Sequence, residues 1–272
     1  MQSRLQLILA LLCFGSLTFA QTSAADDDSA AACAKPGIRA GGCVVPKPSE
    51  RVVAPDPVEL LTKVRATYAA LDSYSDQGAI VLEEQPIGAT MIREQYRFVT
   101  RYGAPRRFYF DFRKGAGPDA ERFVIWCGGD TFHSWWSATR VAEEYPQGQG
   151  AQAFAMGMLP TAGTALLIPP LLFQNAGLQG ALVTMTEPKY GGAQKLGGRL
   201  VHLLTGSVRL NHWSESVRVT TLWIDAETLM IHKVFEDSPT GQGAAIQRAT
   251  TTFEPKPNAR IEAAQFHFVP PG

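Results

Sequence analysis

The sequence predicts a β-rich α+β fold, in which one large antiparallel sheet is accompanied by an N-terminal helix and short apolar helices. Between residues 56 and 71, apolar side chains recur at helical spacing. Roughly ten later segments alternate apolar and polar residues and follow one another in hairpin order, which is typical of antiparallel strands. Between residues 140 and 180 the alternation stops, and apolar runs broken by prolines replace it. A β-sandwich is the alternative arrangement of these elements.

Residues 1–20 are predicted to be a signal peptide. Arg4 supplies a positive charge, Leu5 to Phe14 is an apolar run too short to span a bilayer, and cleavage is expected after Ala20. No later segment has about 18 uninterrupted apolar residues, so we expect an exported, periplasmic chain without a transmembrane segment after cleavage. Residues 21–55, rich in Ala, Asp, Gly and Pro, are predicted to form a flexible segment.

Three cysteines remain after the predicted cleavage. Cys33 and Cys43 are close in sequence, and in an oxidising compartment we expect them to form a disulfide. Cys127 is then a buried free thiol at a strand end. The cysteine and histidine spacing typical of a zinc site is not present, and we predict neither a metal site nor a cofactor.

The predicted helix begins after Asp56. This residue can accept hydrogen bonds as an N-cap, Pro57 suits the first helical position, and Glu59 is favoured near the positive end of the helix dipole. The helix is expected to end near Asp72 and Ser73. Its apolar face is predicted to consist of Leu61, Val64, Tyr68 and Leu71.

Strands are predicted wherever the period is two. The alternation is clearest in residues 96–101 and 108–113, where aromatic side chains take one face. Phe123–Trp126 and Thr131–Trp136 are predicted to form a hairpin about residues 128–130. Further strands are predicted at Leu182–Thr186, Leu200–Leu204, Val217–Ile224, Met230–Phe235, Ile246–Phe253 and Gln265–Val269.

The apolar interruption consists of Ala151–Leu159 and Thr164–Phe173, which are broken by Pro160 and by the pair Pro169-Pro170. These runs lack strand alternation and predict short helices or loops laid on a sheet face. Two interpretations stay open. The segment is either a set of ordinary core helices or a mobile apolar cover, for which the flexibility of methionine is suited.

Composition and motifs exclude several functions. Lys plus Arg and Asp plus Glu both number 25, so no basic excess indicates nucleic-acid binding. The sequence contains no nucleophile elbow, zinc-protease motif, P-loop or dinucleotide-binding motif. The pair Glu143-Glu144 is interpreted as a solvated loop, and Asp225 with Glu227 as a turn. We therefore predict a protein that is not an enzyme and has no catalytic residues, with an unrecognised hydrolase as an alternative.

Four segments resemble the LolA/LolB superfamily of periplasmic lipoprotein carriers, in that family's order. The N-terminal helix runs into Leu71-Asp72-Ser73-Tyr74, and Pro105-Arg106-Arg107-Phe108-Tyr109-Phe110 is similar to the family's Pro-x-x-Phe-x-Trp strand. Gly129-Asp130-Thr131-Phe132 resembles its Asp-Gly-Lys-Thr-Leu hairpin. Trp223-Ile224-Asp225 then leads through residues 230–235 to Phe266-His267-Phe268-Val269-Pro270-Pro271-Gly272, which closely resembles the family's C-terminal strand.

The resemblance implies a fold for residues 56–272. It is an incomplete, strongly curved antiparallel half-barrel whose concave apolar face is covered by short helices. Residues 150–173 fall where covering helices are expected, so the resemblance favours the cover interpretation.

The chain departs from the family at one position that concerns the release of cargo. The best-known carriers have an arginine just before the strand proline, which hydrogen-bonds to the lid, whereas this chain has Ala104. The resemblance therefore does not imply an energy-driven handover.

The function implied by the resemblance is that of a periplasmic binding protein or carrier for the acyl chains of lipoproteins or lipids, with an envelope transport partner. A sensor or interaction module of the same fold in envelope signalling is the alternative. The side chains predicted to line the cavity are Phe98, Phe108, Phe110, Phe123, Trp126 and Trp136. Those predicted to form the lid are Phe154, Met156, Met158, Leu166 and Leu167.

Overall fold

A computed structural model describes most of the chain from residue 54 onwards. The predicted signal peptide, nearly all of the predicted flexible segment and the predicted Cys33–Cys43 disulfide lie outside the described residues. Within the described part, no helix has both the length and the hydrophobicity needed to cross a membrane. The described residues are 54–86, 88–115, 117, 120–146, 148–158, 160–161, 165–174, 177–178, 180–209, 217–239 and 246–271.

The first helix, α1 (Pro57–Ala69), starts as predicted. Asp56 is its N-cap, and the Asp56 Oδ1 atom accepts a hydrogen bond of 2.8 Å from the backbone N–H of Glu59. The helix ends at Ala69, earlier than predicted, because the chain must be extended by Ser73 to enter the sheet. Its buried side chains are Leu60, Leu61, Val64 and Tyr68.

Eleven strands of a single sheet follow α1, interrupted by two short helices. The helices are α2 (Gly150–Gly157) and α3 (Pro169–Leu172). The strands are β1 (Ser73–Gln85), β2 (Ile92–Gly103), β3 (Arg107–Lys114), β4 (Glu121–Cys127), β5 (Phe132–Trp136), β6 (Val141–Tyr145), β7 (Thr186–Leu196), β8 (Arg199–Arg209), β9 (Val217–Asp225), β10 (Ile231–Pro239) and β11 (Ile246–Phe253). A two-residue strand, β12 (Lys256–Pro257), pairs with the start of β1.

The strand order is β6-β5-β4-β3-β2-β1-β11-β10-β9-β8-β7, and all described pairs are antiparallel. Strands β6 and β7 are the two edges, so the sheet is open. The pairing of β1 with β11 joins two runs of hairpins into one surface. The predicted fold class is confirmed: the protein is a β-rich α+β structure with the open antiparallel sheet of an incomplete half-barrel.

Sequence reasoning missed strands β1, β6 and β12, and all of β7 after Thr186. In β1, the apolar alternation of Tyr74, Ile80 and Leu82 is interrupted by Asp76 and Gly78, which occupy the same face. Gly78 is required there by close packing, because a Cβ atom at this position would lie 2.0 Å from the Phe98 ring. In β6, residues 141–144 are exposed on the edge strand, so Glu143 and Glu144 lie in a strand and not in the predicted loop.

Two predicted strands are wrong. Residues 181–183 form a turn, closed by hydrogen bonds from the Val183 and Thr184 N–H groups to the Gly180 oxygen, and β7 begins only at Thr186. The apolar character of this segment arises because Leu182 and Met185 pack into the core. The predicted strand 265–269 is instead part of a 3₁₀ helix (Ala263–Phe266) and an extended tail. This is the segment that most closely resembles the carrier family.

Candidate ligand-binding site

The inner face of the sheet, defined as the face that bears Phe98, Phe108, Phe110 and Phe123, is the surface on which a ligand cavity was predicted. These four side chains come from β2, β3 and β4, and each is at most 3% exposed. They share one apolar core with inward side chains of other strands and with α1. Trp136 packs half-buried against this core, where its Nε1–H donates to Glu121 Oε1 at 2.7 Å. The structure thus brings five of the six predicted aromatics together.

Trp126 lies on the outer face, opposite the other five aromatics. In β4, Phe123, Ile125 and Cys127 point inward, whereas Val124 and Trp126 belong to a separate outer cluster. The assignment of Trp126 to the inner face was therefore wrong, because side chains alternate along a strand and an even separation from Phe123 is needed to share its face.

The outer cluster is covered by the C-terminal tail. Phe266 is buried against Tyr109, Val124, Trp126 and Trp135. The Phe268 ring lies 5.2 Å from the Trp126 ring, and the Arg122 guanidinium stands 4.7 Å over it. The Phe-x-Phe motif therefore packs on the outside of the sheet, away from the predicted cavity.

The inner face is covered by a layer formed from α2, residues 165–174 and residues 180–185, which we call the cover. Phe154, Leu166 and Leu167 are buried, as side chains facing the sheet must be. Met156 and Met158 are 48% and 39% exposed, so these two predicted lid residues lie on the solvent side. Gly157 sets how closely α2 approaches β4, because a Cβ atom there would lie 2.9 Å from the Phe123 ring.

Four phenylalanines join the cover to the sheet. Phe108 and Phe132 come from β3 and β5, and Phe154 and Phe173 come from the cover. The Phe108 ring lies 5.1 Å from Phe154 and 5.5 Å from Phe173, and Phe132 lies 5.6 Å from Phe154. Most of these contacts are edge-to-face, the favoured geometry for aromatic pairs. Sequence reasoning missed Phe132, although its even separation from Trp136 places both on one face.

The far end of the cover is attached to α1 by polar contacts. Arg65 donates from Nε to the Leu182 oxygen at 3.1 Å and from Nη2 to the Met185 oxygen at 3.3 Å. Gln174 donates back to the Arg65 oxygen at 3.5 Å. By contrast, among the described residues, α2 makes no hydrogen bond to the inner face of the sheet. The cover is therefore held by hydrogen bonds near residues 174–185 and by ring packing at α2.

The inner face also contains a buried ion pair. Arg218 on β9 donates from Nη1 to Glu236 Oε1 on β10 at 3.4 Å and from Nη2 to Gln247 at 3.3 Å. The two charged side chains are 8% and 2% exposed. Burial raises the pKa of Glu236, and the nearby Arg218 opposes that rise. This pair places two charged groups on the same face of the sheet as the apolar core.

A second buried acid, Asp76, lies beside α1. The Tyr74 hydroxyl donates to Asp76 Oδ2 at 2.7 Å, and the Tyr74 ring lies 5.7 Å from that of Tyr68. The Tyr68 hydroxyl in turn accepts the backbone N–H of Ile231 at 3.0 Å. Burial raises the pKa of Asp76 to about 6, although the Tyr74 hydrogen bond acts to lower it.

The arginines near Ala104 do not replace the family's lid-binding arginine. Ala104 packs against the inner core. The Arg101 guanidinium lies 5.0 Å over the Tyr109 ring and that of Arg107 lies 5.3 Å over Phe266, both on the outer face. Neither guanidinium is therefore directed toward the cover.

Few of the described side chains could bind a metal ion or act as a nucleophile. Among the described residues, no cluster of three or more His, Cys, Asp or Glu side chains is placed to hold a metal ion. Cys127 is buried and free at the end of β4, and its thiol donates to the Gly129 oxygen at 3.0 Å. Burial raises the pKa of this thiol, which disfavours the reactive thiolate.

This geometry defines an open antiparallel sheet with a covered apolar inner face, the fold that the LolA/LolB resemblance predicted. No family model and no curated protein sequence matches the chain. Solved structures that match include LprF from Mycobacterium bovis, with 11% identity over 77% of this chain and 97% of that one, at a TM-score of 0.44.

Two other matches have similar values. Lipoprotein LppX from Mycobacterium tuberculosis is 13% identical over 76% of this chain and 100% of that one, at a TM-score of 0.41. A putative outer membrane lipoprotein-sorting protein domain from Vibrio parahaemolyticus is 8% identical over 77% of this chain and 95% of that one, at a TM-score of 0.36. At these values the similarity concerns the fold alone.

Proposed function

We propose that the protein is an exported binding protein that holds acyl chains of lipids or lipoproteins between the inner face of its sheet and the cover. The observation that carries this proposal is the four-phenylalanine contact, Phe108 and Phe132 with Phe154 and Phe173, through which the cover packs on the sheet. The proposed role is binding and delivery to an envelope partner, without catalysis.

Ligand entry requires movement of the cover, because the inner-face aromatics are buried beneath it. The expected moving part is α2. It is held to the sheet by packing, it follows Gly148, whose φ of 88° favours glycine, and it begins and ends with glycines. The end of the cover near α1, fixed by Arg65, is expected to stay in place.

The energetic balance favours such an exchange. Exposing two buried phenylalanines of the cover costs about 3–6 kcal/mol in apolar surface. Burying an acyl chain contributes about 0.8 kcal/mol per CH₂, so about a dozen methylene groups contribute on the order of 10 kcal/mol. A ligand of this length can therefore displace the rings of the cover and occupy their place.

The test compares substitutions on the two sides of one helix. Phe154→Asn removes an inward ring of α2, and Leu166→Asn removes an inward side chain farther along the cover. Met156→Asn is the matched control, because it lies on α2 and is 48% exposed. We expect wild type and the control to retain a fluorescent long-chain fatty acid, and both inward variants to lose it while melting near the wild-type temperature.

Mass spectrometry of lipid co-purified with the secreted protein provides a second readout, which names the ligand. The proposal is refuted if wild-type protein neither retains the fatty acid nor carries lipid. It is also refuted if Phe154→Asn and Leu166→Asn unfold the protein while any folded fraction still retains the probe, since these side chains would then be ordinary core.

A further inference from the structure

A cavity of about 570 Å³ lies away from the inner face and is independent of the proposed acyl site. Its floor is formed on the outer face of four neighbouring strands, and the turn between β7 and β8 contributes a wall through Leu196 and Gly197. The side chains on which its chemistry depends are Ala79, Arg97, Arg199, Lys233, Thr252 and Glu254.

Strand register aligns the key side chains in one row. Arg97 on β2 pairs with Ala79 on β1, Ala79 pairs with Thr252 on β11, and Thr252 pairs with Lys233 on β10. With neighbouring strands roughly 4.8 Å apart, the Cα atoms of Arg97 and Lys233 are separated by about 14 Å. The two residues between them have short side chains, so both long cationic side chains can extend over a shallow floor.

The cations of this row are not neutralised within the sheet. Among the described residues, neither Arg97 nor Lys233 has an acidic partner within ion-pair distance. The Lys233 ammonium lies 4.5 Å from the Trp223 ring centroid, a surface contact weak enough to be exchanged for an anion. Arg199 adds a third charge, since it is 63% exposed and reaches Asp225 only at 3.9 Å.

Among the described residues that line this concave site, three side chains are cationic and one, Glu254, is acidic, while Arg199 is also paired with Asp225 outside the lining. The chemistry favours a phosphate over a carboxylate. A carboxylate presents one planar edge that a single guanidinium can satisfy, whereas a phosphate presents oxygens in several directions. Here Arg97 and Lys233 stand at opposite ends of the row, so that a guanidinium and an ammonium can reach one anion from two sides once the ammonium leaves the Trp223 ring. Thr252 lies between them, and its hydroxyl donates to the Ala79 oxygen at 3.3 Å. The cavity volume is within the range of small-molecule sites and admits more than an isolated phosphate ion.

We propose that this outer-face groove binds a phosphate ester, with Arg97 and Lys233 as its principal contacts. The phosphate can belong to a soluble phosphoester or to a phospholipid headgroup, and two titrations distinguish these sources. Glycerol 3-phosphate is titrated by calorimetry, and vesicles of phosphatidylglycerol are compared with vesicles of phosphatidylcholine by co-sedimentation.

The decisive variant is Arg97→Gln with Lys233→Gln, which we expect to weaken the observed binding at least tenfold. Its matched control is Lys63→Gln with Arg260→Gln, which removes the same charge from exposed positions outside the groove and should change binding less than twofold. Glu254→Gln should strengthen binding several-fold, because it removes the one acidic side chain in the described part of the lining.

Each outcome decides the proposal. Groove-dependent binding of glycerol 3-phosphate identifies a soluble ligand, and groove-dependent binding of phosphatidylglycerol vesicles alone identifies a headgroup. The proposal is overturned if neither probe binds, or if the groove and control variants lose binding equally. Should the double variant unfold, Arg97→Gln alone and Glu254→Gln must still change affinity in opposite directions. Phe154→Asn should leave phosphate binding unchanged, so this site can fail or succeed independently of the acyl site.

Discussion

Asp76→Asn should stabilise the protein at neutral pH and leave its stability unchanged in acid. Asp76 is 1% exposed on β1, and burial raises its pKa from 3.8 to about 6. The substitution fits the site. The Tyr74 hydroxyl can still donate to the amide oxygen, and the Thr100 hydroxyl, which interacts with the Asp76 carboxylate, can accept a hydrogen bond from the new NH₂ group.

The sign follows from proton linkage. Below about pH 4 the carboxyl group is protonated in both the folded and the unfolded chain, so burial carries no charge penalty. Between about pH 4 and pH 6 the unfolded chain loses this proton while the folded chain keeps it, so the free energy of unfolding falls as the pH rises. Above about pH 6 both states are ionised, and the penalty stays constant. A pKa raised by about two corresponds to about 3 kcal/mol.

Urea unfolding at a series of pH values between 4 and 8 measures this difference. We expect the variant and wild type to have equal free energies of unfolding at pH 4 and the variant to be more stable by about 3 kcal/mol at pH 7. Asp72→Asn is the control, because it removes the same charge from an exposed residue four positions earlier, just before β1. A constant difference at all pH values, or a variant less stable at pH 7 than at pH 4 relative to wild type, would refute the reasoning.

Two further predictions concern other parts of the chain. Phe266→Ala should lower the free energy of unfolding by about 3–5 kcal/mol, because the Phe266 ring is only 1% exposed. Val269→Ala, at a residue that is 86% exposed, should change the free energy of unfolding by less than about 0.5 kcal/mol. Denaturant unfolding of both variants tests this prediction, and equal effects would contradict it. If Cys33 and Cys43 form the predicted disulfide, thiol titration of the unfolded, unreduced secreted protein should find only Cys127, and three reactive thiols would reject the disulfide.

The C-terminal Phe-x-Phe motif contributes to the stability of the fold and takes no part in the proposed acyl site. Phe266 and Phe268 are the residues that most resemble the carrier family, yet both pack on the outer face against Trp126 and Trp135. The motif therefore stabilises the sheet by packing on its outer face and does not line the proposed acyl site. A mutation there should reduce ligand binding only through loss of folding.

The cover was the least determined part of the sequence. Its apolar composition was compatible both with core helices and with a lid. Composition indicates that side chains are buried, but it does not indicate which surface they are buried against. The structure places Phe154 inward and Met156 outward on the same helix. Residues 165–173 lack alternation because all of them are buried, so neither side of the segment faces solvent.

Local patterns by themselves determined α1, most strands and the antiparallel class, because capping and side-chain periodicity act between residues close in sequence. They also determined which residues of β2 and β3 share a face. Only the tertiary structure decided that β1 pairs with β11, that the C-terminal tail covers the outer cluster around Trp126, and that Arg97 and Lys233 lie in one row across four strands. These features depend on contacts between residues far apart in the chain, whose partners are set by packing of the whole sheet and leave no periodic signal in either segment.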